Sequence, residues 1–156
     1  MATEKWIAGS GQGLTWGAAF STEVNSLASG NAVLSSIQID NTTALDIFCD
    51  VSISLGSITP AAGSDYLGIY LVTLYEDGTS YGDGRFGTAA AGPPASNYFV
   101  GNIPAIASVA AVITGMARGI ILPPGKFKFI IYNGTGTTLA ASANVVDYRT
   151  YNRSVA

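Results

Sequence analysis

The chain contains no histidine, a single cysteine and few charged residues, and each scarcity excludes a class of function. Without histidine it lacks the commonest general base near neutral pH and the commonest metal ligand. Cys49 alone cannot form an internal disulfide, and a Cys/His zinc set is impossible. Because Cys49 falls inside an apolar alternation, we expect a buried small hydrophobe there, not a nucleophile. The sequence therefore predicts a protein that is not an enzyme, with no catalytic residue, cofactor or metal site.

Long apolar runs are also missing. None approaches the roughly 18 to 20 residues that span a bilayer, and the N-terminus lacks the apolar stretch of a signal peptide. We therefore expect a chain that is made and used without Sec export and has no membrane partner. Charged residues make up only 11% of the 156 residues, against roughly 25% in an average soluble domain. So little charge suggests that a partner covers part of the surface.

The few charges are distributed unevenly along the chain. Nine acids and only Lys5 precede residue 85, whereas six bases and only Asp147 occur from residue 85 onward. Two interpretations are open: the acids and bases pair across strands, or they form a dipolar surface that docks on a complementary partner or a second copy. The six bases are dispersed and form no basic stripe, so we expect no nucleic-acid partner.

Alternation of apolar and polar residues dominates the sequence and predicts strands. Every odd position of residues 45–55 is apolar, which is typical of a half-buried strand. Residues 66–75 are apolar on both faces and end before an Asp-Gly turn signal, which predicts a strand in the middle of a sheet. Further strands are predicted at 32–39, 98–103, 109–113, 116–122, 127–132 and 143–151. About eight short strands separated by turns indicate one all-β sandwich or barrel.

The segment 119–133 places two prolines and a glycine between two apolar runs. Because proline cannot donate a hydrogen bond to a sheet, this triplet predicts a stiff turn that joins two antiparallel strands. After the turn, Lys126 and Lys128 alternate with two phenylalanines, so one face of the strand is polar and the other apolar. The two lysines either face solvent or meet the acidic surface of a neighbour.

The N-terminal residues differ from the rest of the chain. Trp6 and Ile7 are followed by Gly-Ser-Gly-Gln-Gly, a flexible linker composition, which predicts a flexible arm at 1–13 before a β-sandwich domain at 14–156. We predict no phosphate loop at these glycines, since the sequence indicates no preceding strand, no following helix and no recognised fingerprint. Trp6 either docks on a neighbouring molecule or folds back over its own domain. Our candidate partner contacts are Trp6, Ile7, Leu14, Trp16, Lys126 and Lys128.

The loop at 77–84 carries Asp77 and Asp83 six residues apart among glycines. A calcium loop alternates oxygen ligands at positions 1, 3 and 5 and closes with a glutamate near position 12. The loop matches that pattern only in part, so we predict a wide hairpin turn.

The stretch LPPGKFKFIIYNGTGTTLAASANVVDYRTYN combines a Leu-Pro-Pro-Gly corner, a Lys/Phe strand, an Asn-x-Thr-Gly turn and a Tyr-Asn ending. It resembles the C-terminal pattern of small tailed-bacteriophage virion proteins. Upstream, EVNSLASGNAVLSSIQIDN, LDIFCDVSISL and LYEDGTSYGDG are similar to the same kind of protein, so the resemblance covers residues 23–152. It implies a jelly-roll-like β-sandwich that acts as a capsid cement or decoration protein. The implied partner is the major capsid protein, on the outer capsid surface, after synthesis in the bacterial host cytoplasm.

We therefore expect an all-β fold: a single antiparallel β-sandwich, jelly-roll-like, with a flexible N-terminal arm. The leading hypothesis is a virion structural protein that cements capsid subunits and stabilises the head as a homo-oligomer, either a dimer or a trimer. The alternative is a tail-associated receptor- or glycan-binding module, with exposed tyrosines of 66–81 as a stacking platform. Carboxylate-dependent glycan hydrolysis is the only enzymatic form considered, but no pair of acids stands out in a cleft-like context.

Overall fold

The computed structural model describes residues 4–9, 14–63, 66–82, 89–106 and 109–155. Within these ranges the chain forms two antiparallel sheets that pack against each other, and one short 3-10 helix at Ser96–Tyr98. The strands are β1 (Glu4–Ala8), β2 (Gly17–Ala18), β3 (Asn31–Leu34), β4 (Ile39–Asp40), β5 (Phe48–Ser54), β6 (Tyr66–Thr73), β7 (Ala90–Ala91), β8 (Phe99–Pro104), β9 (Thr114–Ile121), β10 (Lys126–Gly134) and β11 (Val145–Val155).

The strand order is that of a jelly roll. The first sheet runs β1-β11-β5-β9, with β2 also beside β11, and the second runs β7-β3-β10-β6-β8, with β4 beside β10. Strand β1 pairs with the last strand, β11, and β3 pairs with β10. Most connections carry the chain from one sheet to the other. This arrangement confirms the predicted all-β, antiparallel sandwich and its jelly-roll character. In the part of the chain that is described, no helix is long and apolar enough to cross a membrane.

The core between the sheets follows from the period-2 pattern of the facing strands. Cys49, Val51 and Ile53 of β5 are buried against residues of β10, among which Phe127 and Phe129 are fully buried. The alternation in β5 therefore points to the core, as predicted. Cys49 is indeed a buried small hydrophobe, and burial raises the pKa of its thiol well above the usual value.

We expect Cys49 to be unreactive toward a water-soluble thiol reagent in the folded protein. The thiolate is the reactive form, and here it is both inaccessible and disfavoured by burial. Titration with a chromogenic disulfide should give no reaction over minutes under native conditions and one equivalent per chain in denaturant. Rapid labelling of the native protein would contradict this expectation.

Strand β6 is apolar on both faces because each face is covered. Leu67, Ile69 and Leu71 belong to the main core, whereas Tyr70 and Val72 pack on the other face in a second cluster with Tyr81. The segment after β6 therefore folds over the outer face of the second sheet. This placement confirms the prediction that the strand lies in the interior of a sheet, between β10 and β8.

Two predicted strands are interrupted or absent. The predicted strand at 32–39 breaks into β3 and β4. At the break the Ser35 amide still donates to the Phe129 carbonyl at 3.0 Å, while its hydroxyl donates to the Ala19 carbonyl at 2.6 Å. The segment predicted as a strand at 109–113 holds only an isolated bridge between Ala111 and Ile58. Both segments are rich in β-branched and apolar residues, but contacts with distant parts of the same chain decide where strands pair.

The structure corrects the predicted arm for Glu4–Ala8, which form β1 and pair with β11 over five positions. Of the two alternatives for Trp6, the segment folds back onto its own domain. Gly9 ends the strand where a side chain has no room, because a Cβ there would collide with the Asp46 carboxylate and the Thr150 hydroxyl. The glycine that we interpreted as linker composition is therefore a close-packing position. Residues 1–3 and 10–13 lie outside the described residues.

The proline corner also differs from the prediction. The strands on its two sides do not pair with each other: β9 lies in the first sheet beside β5, and β10 lies in the second sheet. The corner thus carries the chain between sheets, and the Asn41 side chain stabilises it by donating to the Pro123 carbonyl at 2.9 Å. Beyond the corner the predicted alternation is confirmed, with Phe127 and Phe129 in the core and Lys126 and Lys128 on the outer face.

Candidate binding face on the first sheet

Strand register gathers three aromatic side chains on the outer face of the first sheet. Tyr151 lies opposite Phe48 on one side and Ala8 on the other, and Trp6 projects from the same face as Ala8. The Trp6 ring meets Phe48 and Tyr151 edge-on, with centroids 5.6 and 5.3 Å apart, while Phe48 and Tyr151 stack at 5.7 Å. Trp6 nevertheless remains 63% exposed. We call Trp6, Phe48 and Tyr151 the aromatic platform.

Beside the platform, a buried carboxylate ties three strands together. Asp50 is only 3% exposed, and its Oδ2 accepts hydrogen bonds from Arg149 Nε at 3.1 Å and Nη2 at 2.9 Å. Its Oδ1 accepts the Tyr151 hydroxyl at 3.0 Å and the Gly119 amide at 3.1 Å. Burial, together with the hydrogen bond to Asp50, raises the pKa of the Tyr151 hydroxyl. The carboxylate is therefore fully hydrogen-bonded, as a buried charge requires.

A β-bulge places Arg118 next to this carboxylate. Cys49 pairs with Ile120 and Val51 with Ala117, so two residues of β9, Arg118 and Gly119, lie opposite Asp50 alone. Gly119 has φ of +67°, a conformation that glycine adopts without strain. Bulges redirect side chains and often lie beside functional sites. Here the bulge keeps the flanking Ala117 and Ile120 in the core and leaves Arg118 exposed.

The platform and the bulge border a cavity of about 410 Å³. It is lined by Trp6, Leu14, Asp50, Arg118, Arg149 and Tyr151. A second, open depression lies along β5 and β9, where Arg118 is joined by hydroxyls of Ser52, Ser54 and Thr114. Arg118 lines both depressions.

Trp16 completes this face from the segment before β2. The guanidinium carbon of Arg149 lies 4.8 Å from the centre of the Trp16 ring, a cation–π contact. Arg149 is thus held between the Asp50 carboxylate and an aromatic ring, so its charge is neutralised within the chain.

The structure brings together only some of the predicted contact residues. Trp6 and Leu14 line the same cavity, and Trp16 packs on its border through Arg149. Ile7 is exposed but lies on the opposite face of β1 from Trp6, because successive side chains of a strand alternate. Lys126 and Lys128 lie on the outer face of the other sheet, on the far side of the sandwich.

Both lysines have partners within the chain. Lys126 Nζ lies 3.6 Å from Asp40 Oδ2, and Lys128 Nζ lies 5.0 Å from the centre of the Tyr81 ring. The Lys126–Asp40 and Arg149–Asp50 pairs each join an acid from the first part of the chain to a base from the second. For these pairs the uneven charge distribution reflects pairing across strands, the first of the two interpretations.

Sequence reasoning missed Asp50, Arg118, Arg149, Phe48 and Tyr151. The alternation of 45–55 placed Asp50 on the polar face, but nothing in the sequence shows that this face meets Arg149 and Tyr151. Asp147, Arg149 and Tyr151 occupy every second position, which is the one local signal for the outer face of β11. The strand register that joins the two sets is a long-range property.

The tyrosines of 66–81 do not form the predicted stacking platform. Tyr70 and Tyr81 are buried in the second cluster, and Tyr75 is the exposed one. The loop after β6 is a hairpin turn in its described part, as predicted, because Tyr75 donates its amide to the Ser80 carbonyl at 2.9 Å. Hydrogen bonds from Ser80 and Thr79 lower the pKa of Asp77 to about 2. Asp83 lies outside the described residues.

No group of three or more Asp, Glu or Cys side chains that could hold a metal ion occurs within the described ranges. Comparisons with protein-family models and with curated proteins find no match for this chain. The fold and the face thus define a jelly-roll β-sandwich with an exposed aromatic platform beside a guanidinium group.

Proposed function

We propose that the chain is a virion structural protein that binds the major capsid protein through the aromatic platform and cements the capsid. The observation that supports this proposal is that Trp6 remains exposed although its ring packs against Phe48 and Tyr151. Tryptophan and arginine are the residues most enriched among binding hot spots, and both occur here at the border of one cavity. A large apolar side chain that neighbouring side chains hold in an exposed position contributes more to association than to folding.

Several physical features support association in preference to catalysis. The buried acid of the face, Asp50, is saturated with hydrogen bonds, and the one thiol, Cys49, is inside the core. Jelly rolls recur in viral capsid and lectin domains, which is an analogy of fold only. A cement protein, arranged as a homo-oligomer of two or three copies, would bind a lattice tightly through repeated modest contacts.

The experiment is to purify particles of a phage that encodes this chain and to measure copies of the chain per particle. We expect the wild-type chain on the capsid surface by immunogold labelling, and particles that lack it should lose heat resistance. Because residues 4–8 are a strand, deleting the N-terminal segment would damage the sheet, so a point substitution is the sharper probe.

Trp6→Ala should lower the affinity for the capsid by about 30-fold, the loss of roughly 2 kcal/mol that defines a binding hot spot. Tyr75→Ala, which removes an exposed aromatic ring outside this face, is the matched control and should leave occupancy unchanged. Circular dichroism melts verify that both variants fold. A free cytoplasmic pool with no copies in particles would refute the proposal, and label on the tail would favour the receptor- or glycan-binding alternative.

A further inference from the structure

We propose that the cavity beside Trp6 binds a carboxylate group carried on an apolar segment of a partner protein, and that Arg118 pairs with this carboxylate. The preference of the site for a carboxylate beside an apolar group is argued from the structure alone. Only the statement that the partner is the capsid protein rests on the proposed function.

Arg118 has a charge that no described residue neutralises. Among the described residues, the ion pairs are Lys126–Asp40 and Arg149–Asp50, and no carboxylate lies within ion-pair distance of Arg118. Its hydrogen bond is a weak one, from Nε to the Met116 sulfur at 3.1 Å. The terminal nitrogens of the guanidinium remain able to donate to a ligand, and their planar arrangement matches a carboxylate.

The other charges of the cavity cancel. Asp50 accepts four hydrogen bonds, two of them from Arg149, so neither group is left to repel or attract a ligand strongly. The cavity therefore keeps one net positive charge, that of Arg118. An anionic ligand complements this charge, whereas a cationic ligand would be repelled.

The backbone at Arg118 is fixed before any ligand binds. Its neighbour Gly119 donates its backbone amide to Asp50, and the register on both sides of the bulge anchors Ala117 and Ile120. The same carboxylate that neutralises Arg149 thus pins the bulge. Such preorganisation lowers the entropic cost of binding, because little of the site must be ordered.

The surroundings favour a protein segment over a sugar. Leu14 is 54% exposed at the cavity border, and the exposed Ile121 lies opposite Phe48 on the same face. Aliphatic side chains gain from contact with apolar groups, whereas sugar hydroxyls need polar partners to replace water. A leucine-like side chain of the ligand would contact the aliphatic groups of Leu14 and Ile121, and a carboxylate next to it would pair with Arg118.

The test is a ¹⁵N–¹H NMR titration of the isolated chain with N-acetyl-leucine, and with N-acetyl-leucinamide as its neutral counterpart. We expect saturable shifts of the Arg118 and Gly119 amides and of the Trp6 indole signal. The amide should bind at least tenfold more weakly than the acid. Glucuronate, an acidic sugar, is the third probe and should also bind more weakly than N-acetyl-leucine.

Arg118→Gln should weaken binding of N-acetyl-leucine at least tenfold, because it removes the positive charge but keeps a polar side chain. Lys128→Gln removes one positive charge from the opposite side of the sandwich and is the matched control, with no expected change. Arg118 is exposed, so its variant should fold, and a thermal melt checks this.

Equal binding of acid and amide, or no saturable shift with any probe, would overturn the proposal. Tighter binding of glucuronate than of N-acetyl-leucine would indicate that the natural ligand is an acidic glycan and not a protein segment. The two proposals can fail separately. If N-acetyl-leucine binds but Trp6→Ala leaves particle occupancy intact, only the capsid function is wrong. If occupancy falls but no probe binds, only the carboxylate site is wrong.

Discussion

Replacing Asp50 with alanine should lower the free energy of unfolding by about 3 kcal/mol. Removing one partner of a buried ion pair typically costs 3–5 kcal/mol, because the other charge is left without compensation. Arg149 keeps 32% of its side chain exposed, so water would screen part of its charge and the lower end applies. The change also strips the hydrogen-bond acceptor from Tyr151 and Gly119. Urea denaturation monitored by tryptophan fluorescence measures the effect.

The surface pair Lys126–Asp40 provides the matched control. Its side chains are 40% and 49% exposed, so solvent screens the pair and Asp40→Ala should cost much less than Asp50→Ala. A double variant, Asp50→Leu with Arg149→Met, should recover much of the loss, since it leaves no unpaired charge. A loss for Asp50→Ala no larger than that for Asp40→Ala would show that the network does not hold the strands together.

Replacing Phe129 with alanine should have an effect of similar or greater size, about 3–5 kcal/mol. The ring is fully buried, lies 5.6 Å from the Phe127 ring, and reaches Tyr148 of the opposite sheet at 6.4 Å. Truncation therefore opens a cavity where the two sheets meet. With a shift of roughly 2–4 °C per kcal/mol for a domain of this size, the melting temperature should fall by about 6–20 °C.

Phe99→Ala makes the same chemical change at an exposed ring at the end of the 3-10 helix. Its ring contacts Tyr70 edge-on, so the expected loss is about 1 kcal/mol, mainly from that aromatic pair. Differential scanning calorimetry compares the two variants directly. Equal shifts in melting temperature would mean that the space between the sheets relaxes to fill the cavity.

The fold could be predicted largely because its strands carry strong local patterns. The odd apolar positions of 45–55 identified the core face of β5, and the two-sided apolar run at 66–75 identified an interior strand. The path of the chain at the proline corner could not be predicted, for a physical reason. The proline triplet marks a corner, but whether the strands on its two sides pair or separate depends on Asn41 and on the distant partners of each strand.

The candidate site was predictable only in part. Large apolar residues near the N-terminus indicated an association surface, and Trp6 and Leu14 do line one cavity. Arg118 and Asp50 carry no local signal, because a bulge arises from the mismatch between two strands 69 residues apart along the chain. Composition likewise could not show that Lys126 has an acidic partner in its own chain.

The pairing of β1 with β11 has a consequence for biosynthesis. Residues 4–8 are translated well before their hydrogen-bonding partners at 151–155. Non-local pairings of this kind form slowly, because the ends of a long loop must meet before any contact is gained. The edge that carries Trp6 can therefore be completed only after residues 151–155 have been translated. A nascent chain that has not yet reached residues 151–155 therefore lacks the partner strand of β1 and cannot display the finished aromatic platform.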